Sequence, residues 1–323
     1  PKLVTIFGGA GFVGTQIVQL LAKQGHRIRV ATRRPTLAGH VKMFGSVGQI
    51  QPIQANIRNA QSVAHAVRSA DIVINLVGVG QSRGVQTFQA VHVEGARNVA
   101  ATAKAAGVKA LVHMSAIGLE LAAGVSDYAS SKLDGEAAIM AEFPQAVIIR
   151  PSLMFGQGDG FFNLMGTLAR MLPVLPLIGG ATRFQPVFVG DVAEAFAAAV
   201  AGKAQPGAIY ELGGPQVETH RALMERIGRE TMRKRPLLSL PKGIAKAMAL
   251  PVGLLPGRPL LTGDQVELLH VDNVVSEAAQ RDERTLAGLG IGATSMDTIL
   301  PTYMWRFRRN GQYDQHVSHG TRA

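Results

Sequence analysis

The first half of the chain alternates short apolar runs with longer stretches of helical spacing. The runs KLVTIF (2–7), HRIRVA (26–31), DIVINLVG (71–78), KALVHMS (109–115) and AVIIRP (146–151) are rich in Val and Ile and read as strands buried on both faces. A further strand is expected to end at QANIRN (54–59). The stretches GTQIVQLLAKQG (14–25), AQSVAHAVRSA (60–70), VHVEGARNVAATAKAAG (91–107) and SSKLDGEAAIMAEF (130–143) carry a helical period between them. Strands that alternate with helices pair in parallel through right-handed crossovers. The expected fold is therefore α/β, with a doubly wound parallel sheet of Rossmann type.

Beyond Pro151 the texture changes. A helix is expected in QGDGFFNLMGTLARML (157–172), and a short strand followed by a helix in QPVFVGDVAEAFAAAVAG (185–202). From Arg221 the chain is basic and broken by Pro236, Pro241, Pro251, Pro256 and Pro259. Residues 1–150 are expected to form a nucleotide-binding domain. Residues 151–323 are expected to form a smaller mixed lobe, compact with the first and frayed from about Asn310.

Composition narrows the classes of function. The chain has 323 residues, 47% of them hydrophobic, which is enough for a large core. No apolar run is long enough to cross a membrane as a helix. The opening PKLVTIFGGAGF enters a strand at once, so no uncleaved export signal is expected there. Zero cysteines exclude disulfides and thiol nucleophiles, and nine scattered histidines show no metal-ligand spacing, so no metal is expected. The formal charge of +11 suits polyanions in general. Aromatics are only 5% and do not interleave with the basic residues, so no nucleic-acid partner is expected.

Chemistry enters at VTIFGGAGFVGTQIV (4–18), where Gly8, Gly11 and Gly14 stand between strand and helix, with Phe12 and Val13 ahead of the last. Glycine permits a tight turn and close approach of a pyrophosphate, and the helix N-terminus offers it free N–H groups. The spacing is GxxGxxG rather than GxGxxG, but its place after the N-terminal strand marks a nucleotide site. The second strand ends RVATRRP, with Arg33 and Arg34 and no carboxylate for ribose hydroxyls. A guanidinium fits a 2′-phosphate, so NADPH is favoured over NADH; the alternative is a pair of solvated surface arginines. Asn56, after the third strand, is a candidate for the adenine. Asn75 to Gly78, with Leu76 and Val77 between, are candidates for the ribose and nicotinamide. Either segment would also serve as a plain loop.

The glycine loop, Ser115 after the fifth strand, Tyr128-x-x-x-Lys132 in SDYASSKLDGE and RPSLMFG around Pro151 together resemble the extended short-chain dehydrogenase/reductase superfamily. That resemblance implies a tyrosine that exchanges the substrate proton and a serine that orients the carbonyl. It implies a lysine that lowers the tyrosine's pKa and holds the nicotinamide ribose. A spacing of four does place Tyr128 and Lys132 on one helix face, and a nearby ammonium favours phenolate. Only thirteen residues separate Ser115 from Tyr128, a shorter wall for a substrate pocket than many members have.

EFPQAVIIRPSLMFGQGDGFFNLM (142–165), RFQPVFVGDVAEAF (183–196), YELGGPQ (210–216) and LAGLGIGATSMD (286–297) are similar, more closely, to the NADPH-binding accessory subunits of respiratory complex I, the NADH:ubiquinone oxidoreductase. This likeness implies a dehydrogenase fold kept as a structural subunit, with a tightly held NADPH that passes no hydride onward. It implies partners among the subunits of the peripheral arm and membrane junction, near the quinone site. The location implied is the cytoplasmic face of a bacterial inner membrane, or the matrix side of a mitochondrial one.

Two main readings follow. In the first, Tyr128 and Lys132 hold the ribose of a structural cofactor and no residue is catalytic. In the second, the chain is an NADPH-dependent reductase or epimerase of a sugar-nucleotide, terpenoid or lipid-like substrate, with Ser115, Tyr128 and Lys132 catalytic. A free NADP(H)-sensing regulator is a third. For docking, HRALMERIGRETMRKR (220–235) is amphipathic if helical, with Leu223, Met224 and Ile227 on one face and Arg221, Arg226, Arg229 and Arg233 around the rest. PLLSLPKGIAKAMALPVGLLPGRPLL (236–261) is apolar and carries only Lys242, Lys246 and Arg258 as cations. On a short helix Lys242 and Lys246 would oppose Ile244 and Met248. The second stretch suits a membrane interface or a hydrophobic partner; the alternative is that these residues line a substrate pocket or cap the core of the second lobe.

Overall fold

The computed structural model of the chain describes residues 1–247 and 261–314. Six strands arise at the expected places: β1 (Leu3–Phe7), β2 (Arg27–Thr32), β3 (Ile50–Gln54), β4 (Ile72–Asn75), β5 (Ala110–Met114) and β6 (Val147–Pro151). Four short strands follow outside the sheet, β7 (Met154–Phe155), β8 (Leu175–Leu177), β9 (Arg183–Phe184) and β10 (Val187–Phe188). Then β11 (Ile209–Leu212) returns to pair with β6. The sheet thus has seven strands, all parallel, in the order β3-β2-β1-β4-β5-β6-β11. Sequence patterning missed β11 because an edge strand lacks a continuous apolar run; its residues alternate half-buried and buried.

Helices cover both faces. α2 (Ala60–Val67), α3 (Gly95–Ala105) and α5 (Asp127–Glu142) bury Val63, Val99 and Ile139 against Phe7, Val73 and Leu111. On the other face α1 (Phe12–Lys23) and α7 (Val189–Val200) bury Ile17, Leu21, Val192 and Phe196 against Ile6, Val30 and Ile74. Residues 189–212 therefore belong to the sheet layers although they lie beyond residue 150. The remainder builds a second core from α6 (Phe161–Met171), α8 (His220–Glu230) and α11 (Met296–Met304), where Phe162, Leu175, Leu300 and Phe307 meet. β12 (Glu218–Thr219) pairs with β9, β13 (Leu237–Ser239) with β8, and β10 with β7. A short α4 (Leu119–Ala122) precedes α5, and α9 (Gly263–Leu268) and α10 (Glu277–Arg281) lead to α11.

This second core settles the role of one docking candidate. Leu223, Met224 and Ile227, the apolar face of α8, are buried in it rather than offered to a partner. Three of the four arginines also bond to other parts of the fold. Arg226 pairs with Glu218 and Asp297, Arg233 Nε donates to Phe307 O at 2.8 Å, and Arg221 Nη2 to Ser239 Oγ at 3.1 Å. Lys242 and Lys246 both pair with the buried carboxylate of Glu267, the first at 2.5 Å, while Ile244 is exposed. In this short helix (242–247) the lysines, still half exposed, lie on the Glu267 side and Ile244 points away from them. Met248, Pro251, Pro256, Arg258 and Pro259 lie outside the described residues. Asn310 N–H donates to Asp314 Oδ2 at 2.8 Å, so the described chain is still hydrogen-bonded past Asn310. No helix among the described residues is long and apolar enough to cross a membrane.

Candidate dinucleotide site

β1 and β4 are neighbours whose crossovers leave in opposite directions, which opens a crevice at their carboxyl ends. The glycine loop turns there, with Gly8 at φ +81°, in the left-handed region. A Cβ on Gly14 would stand 2.4 Å from Gly8 O and 2.6 Å from Gly9 Cα, so α1 seats directly on the loop. Gly11 caps α1 with no side-chain bond, and the first turn contains no acidic residue. The first intrahelical bond runs from Thr15 N to Gly11 O, so the N–H groups of Phe12, Val13 and Gly14 precede it and are free for an anion.

At the ends of β2 and β3 lies a groove of about 400 Å3 lined by Arg33, Gln54, Ala55, Asn56, Ser62 and His65. None of these is a carboxylate. Arg33 and Arg34 are exposed, and neither side chain has a partner among the described residues. Arg34 stands just outside the groove, at the cap of the 3-10 helix Pro35–Phe44. Asn56 Oδ1 accepts from Arg58 N at 3.2 Å, which leaves its amide NH2 available. Ser62 and His65, on α2, were not foreseen, because nothing in their spacing says that α2 turns that edge toward Arg33.

The other end of the crevice is buried. After β4, Asn75 Oδ1 accepts from Val77 N at 3.2 Å, and Leu76 N donates to Phe7 O at 3.0 Å, which holds Leu76, Val77 and Gly78 beside the glycine loop. Asn75 Nδ2, His113 Nδ1 and Ser115 Oγ are buried without a hydrogen-bond partner. Asn75 and His113 are register partners on β4 and β5. Leaving such groups unpaired costs about 1–3 kcal/mol each, a cost that a polar ligand at this spot offsets. Together with the uncapped α1 and its glycine cradle, these orphan donors and acceptors fit a dinucleotide. Pro151 lies two strands from the switch point and gives its carbonyl to Ile117 N at 3.2 Å.

Tyr128 and Lys132 occupy successive turns of α5, which Arg150 pins to β6 by bidentate bonds of 2.9 and 2.6 Å to Glu136. Lys132 is buried, its Nζ donates to Met114 O at 2.8 Å, and burial draws its pKa down to about 8. The family resemblance implies a phenol made acidic by this ammonium. Burial, then the carboxylate of Asp264, act the other way and push the Tyr128 phenol up to about 12. Asp264 comes from α9 in the second lobe, where its Oδ2 accepts from Ser126 Oγ at 3.0 Å, at the cap of α5. Leu268 and Val271 pack in the same cluster as Tyr128 and Leu119. Asn273 Nδ2 donates to Ile117 O at 3.0 Å, and a Cβ on Gly118 would meet Asp272 O at 2.8 Å. Residues 264–273 therefore pack over the short segment between Ser115 and Tyr128.

The chain matches the NAD dependent epimerase/dehydratase family over residues 4–213. It is 34% identical over 290 residues to NADH dehydrogenase [ubiquinone] 1 alpha subcomplex subunit 9, mitochondrial, of Arabidopsis thaliana, covering 86% of this chain and 72% of that protein. It is 29% identical over 310 residues to the mitochondrial NADH-ubiquinone oxidoreductase 40 kDa subunit of Neurospora crassa, covering 96% and 80%. A ceramide reductase of Caulobacter vibrioides is 31% identical over 191 residues, covering 59% of this chain and 58% of that protein. The chain belongs to the NAD dependent epimerase/dehydratase family, and within it to the family of these complex I subunits.

Proposed function

We propose that the chain is an accessory subunit of complex I that holds NADPH as a structural cofactor and passes no hydride of its own. The observation that carries this reading is the reach of the likeness. It spans most of both chains for the complex I subunits and little more than half of each for the reductase. Residues 1–150 then supply most of the cofactor site, and the second lobe the docking surface on the peripheral arm, near the membrane junction and quinone site. The side of the membrane is the cytoplasmic face in a bacterium or the matrix side in a mitochondrion. Arg33, beside a groove with no carboxylate, supports NADPH over NADH. Asp264, Leu268 and Val271 against Tyr128 support a cofactor role over turnover. A ligand bound only to the native state at a hundredfold excess over Kd stabilises it by about 2.7 kcal/mol, which is reason enough to keep the site.

The test is the mass of the native particle that contains the chain, with its nucleotide extracted and identified. A complex I-sized particle containing NADPH is the expected result. A free oligomer in the soluble fraction would end the subunit reading. The second reading, an NADPH-dependent reductase or epimerase, is favoured by the intact Ser115, Tyr128 and Lys132.

A further inference from the structure

His92 lies in the π-helical turn Gln89–Glu94 and is 3% exposed. Its ring stacks on Phe88 at 5.4 Å and meets Tyr128 edge-on at 5.5 Å. Hydrogen bonds define its tautomer. Val79 N donates to Nε2 at 2.9 Å, so Nε2 carries no proton. The proton is therefore on Nδ1, which donates to Ser131 Oγ at 2.9 Å. Ser131 Oγ in turn donates to the Tyr128 carbonyl at 2.8 Å. Both ring nitrogens are engaged, and each bond leads to a wall of the nicotinamide end of the crevice. Val79 directly follows Leu76–Gly78, and Tyr128 and Ser131 share the turn of α5 that carries Lys132. Burial and the Lys132 charge hold the imidazole down to about 3, so this neutral form persists through the physiological range. The π-helical turn is also in close backbone contact with α5, since a Cβ on Gly135 would stand 2.2 Å from His92 O.

We propose that His92 is a positioning residue that sets the spacing between the 76–79 loop and the Tyr128–Lys132 turn, and so shapes the nicotinamide-ribose half of the site. The inference rests on the cofactor reading above and adds to it what holds the two walls in register. A packing role alone would need only an aromatic ring. His92→Phe therefore keeps both ring contacts and removes both hydrogen bonds, while Ser131→Ala breaks the same chain one link further on.

The measurement is calorimetric binding of NADPH and of 2′,5′-ADP, which carries the adenine half alone, to the full chain and both variants. His92→Phe is expected to weaken NADPH about tenfold or more, the effect of losing buried hydrogen bonds. Binding of 2′,5′-ADP should stay within about twofold, because its groove is remote from the change. Ser131→Ala should weaken NADPH about threefold, and it gives the same comparison if His92→Phe does not fold. Unchanged NADPH affinity, or equal loss for both ligands, would overturn the proposal. Failure of the unaltered chain to bind either ligand overturns the cofactor reading and this inference together, an outcome recognisable without any variant.

Discussion

The two ends of the crevice are built on opposite principles. At the adenine end, Arg33, Arg34 and His65 stand exposed around an open groove, and neither arginine side chain has a partner in the fold. At the nicotinamide end Lys132, His92, Asn75 and Ser115 are buried, and Lys132 and His92 are tied to backbone of neighbouring elements. Donors that the fold does not use can be exchanged without disturbing it, so on the proposed reading cofactor choice is expected at the Arg33 end. Donors that also hold elements together fix the local geometry, so on the proposed reading the shape of the ribose site is expected to depend on the other. The glycine loop joins the two, and its replacement should have the largest effect. Gly14→Ala forces a Cβ to within 2.4 Å of Gly8 O, backbone that cannot rotate away. Overpacking of this kind costs about 3 kcal/mol. Denaturant unfolding should register that loss, with no nucleotide binding at either end.

The next largest effect should be confined to one end. Arg33→Ala with Arg34→Ala is expected to weaken NADPH about a hundredfold while leaving NADH within about twofold, since charge-assisted bonds to a phosphate disappear and little else does. The melting temperature without ligand should hardly move. Equal loss of both cofactors, or a drop in melting temperature, would erase the distinction between the two ends.

What the sequence made legible divides along the same line. The glycine loop, the first six strands and the Tyr128–Lys132 pair were readable because each depends on local spacing: a turn at Gly8, a period of two or 3.6, a four-residue helical step. Arg33 and Asn56 were readable because strand ends in a doubly wound sheet point at the crevice. His92, Ser131 and Asp264 were not. Val79 and His92 are thirteen residues apart, Ser126 and Asp264 one hundred and thirty-eight, and no local pattern announces such a contact. The same limit explains α8, whose amphipathic face looks alike whether it meets a partner or its own lobe; only the position of Leu300 and Phe307 decides. The surroundings of Tyr128 were out of reach for a related reason, because burial and Asp264, which raise its pKa, come from packing between distant segments.

Lys132 tests the buried end. Its pKa is drawn from 10.5 to about 8 by burial, so the folded state disfavours the charged form. That difference corresponds to about 3 kcal/mol. The proton is bound more weakly in the folded chain than in the unfolded one. The ligand-free protein should therefore gain stability as pH rises from about 8 to 10.5, and that gain is absent below about 8. Lys132→Met should remove this slope and leave the ligand-free protein as stable at pH 7 as the unaltered chain, or more so. It should weaken NADPH about tenfold at pH 7 through loss of a charge-assisted bond. In the unaltered chain NADPH affinity should fall as pH rises through about 8, where the ammonium is lost, and the variant should show no such fall. Denaturation and binding titrations at matched pH values decide both points.

The smallest effect is expected at the residue that looks most catalytic. The Tyr128 hydroxyl has no hydrogen-bond partner among the described residues, while its ring packs against Phe88, His92, Leu268 and Val271. Tyr128→Phe keeps that packing, so ligand-free stability should be unchanged and NADPH affinity reduced only about threefold, by one bond to the ribose. If the phenol were a proton donor in turnover, its removal would instead cost about a hundredfold or more in rate. Following NADPH absorbance with a panel of small carbonyls separates the two. Equal, negligible oxidation by both proteins keeps the pair as a clamp on the ribose. Oxidation that disappears with the hydroxyl makes the buried end an active site, and makes residues 264–273 the wall of its substrate pocket.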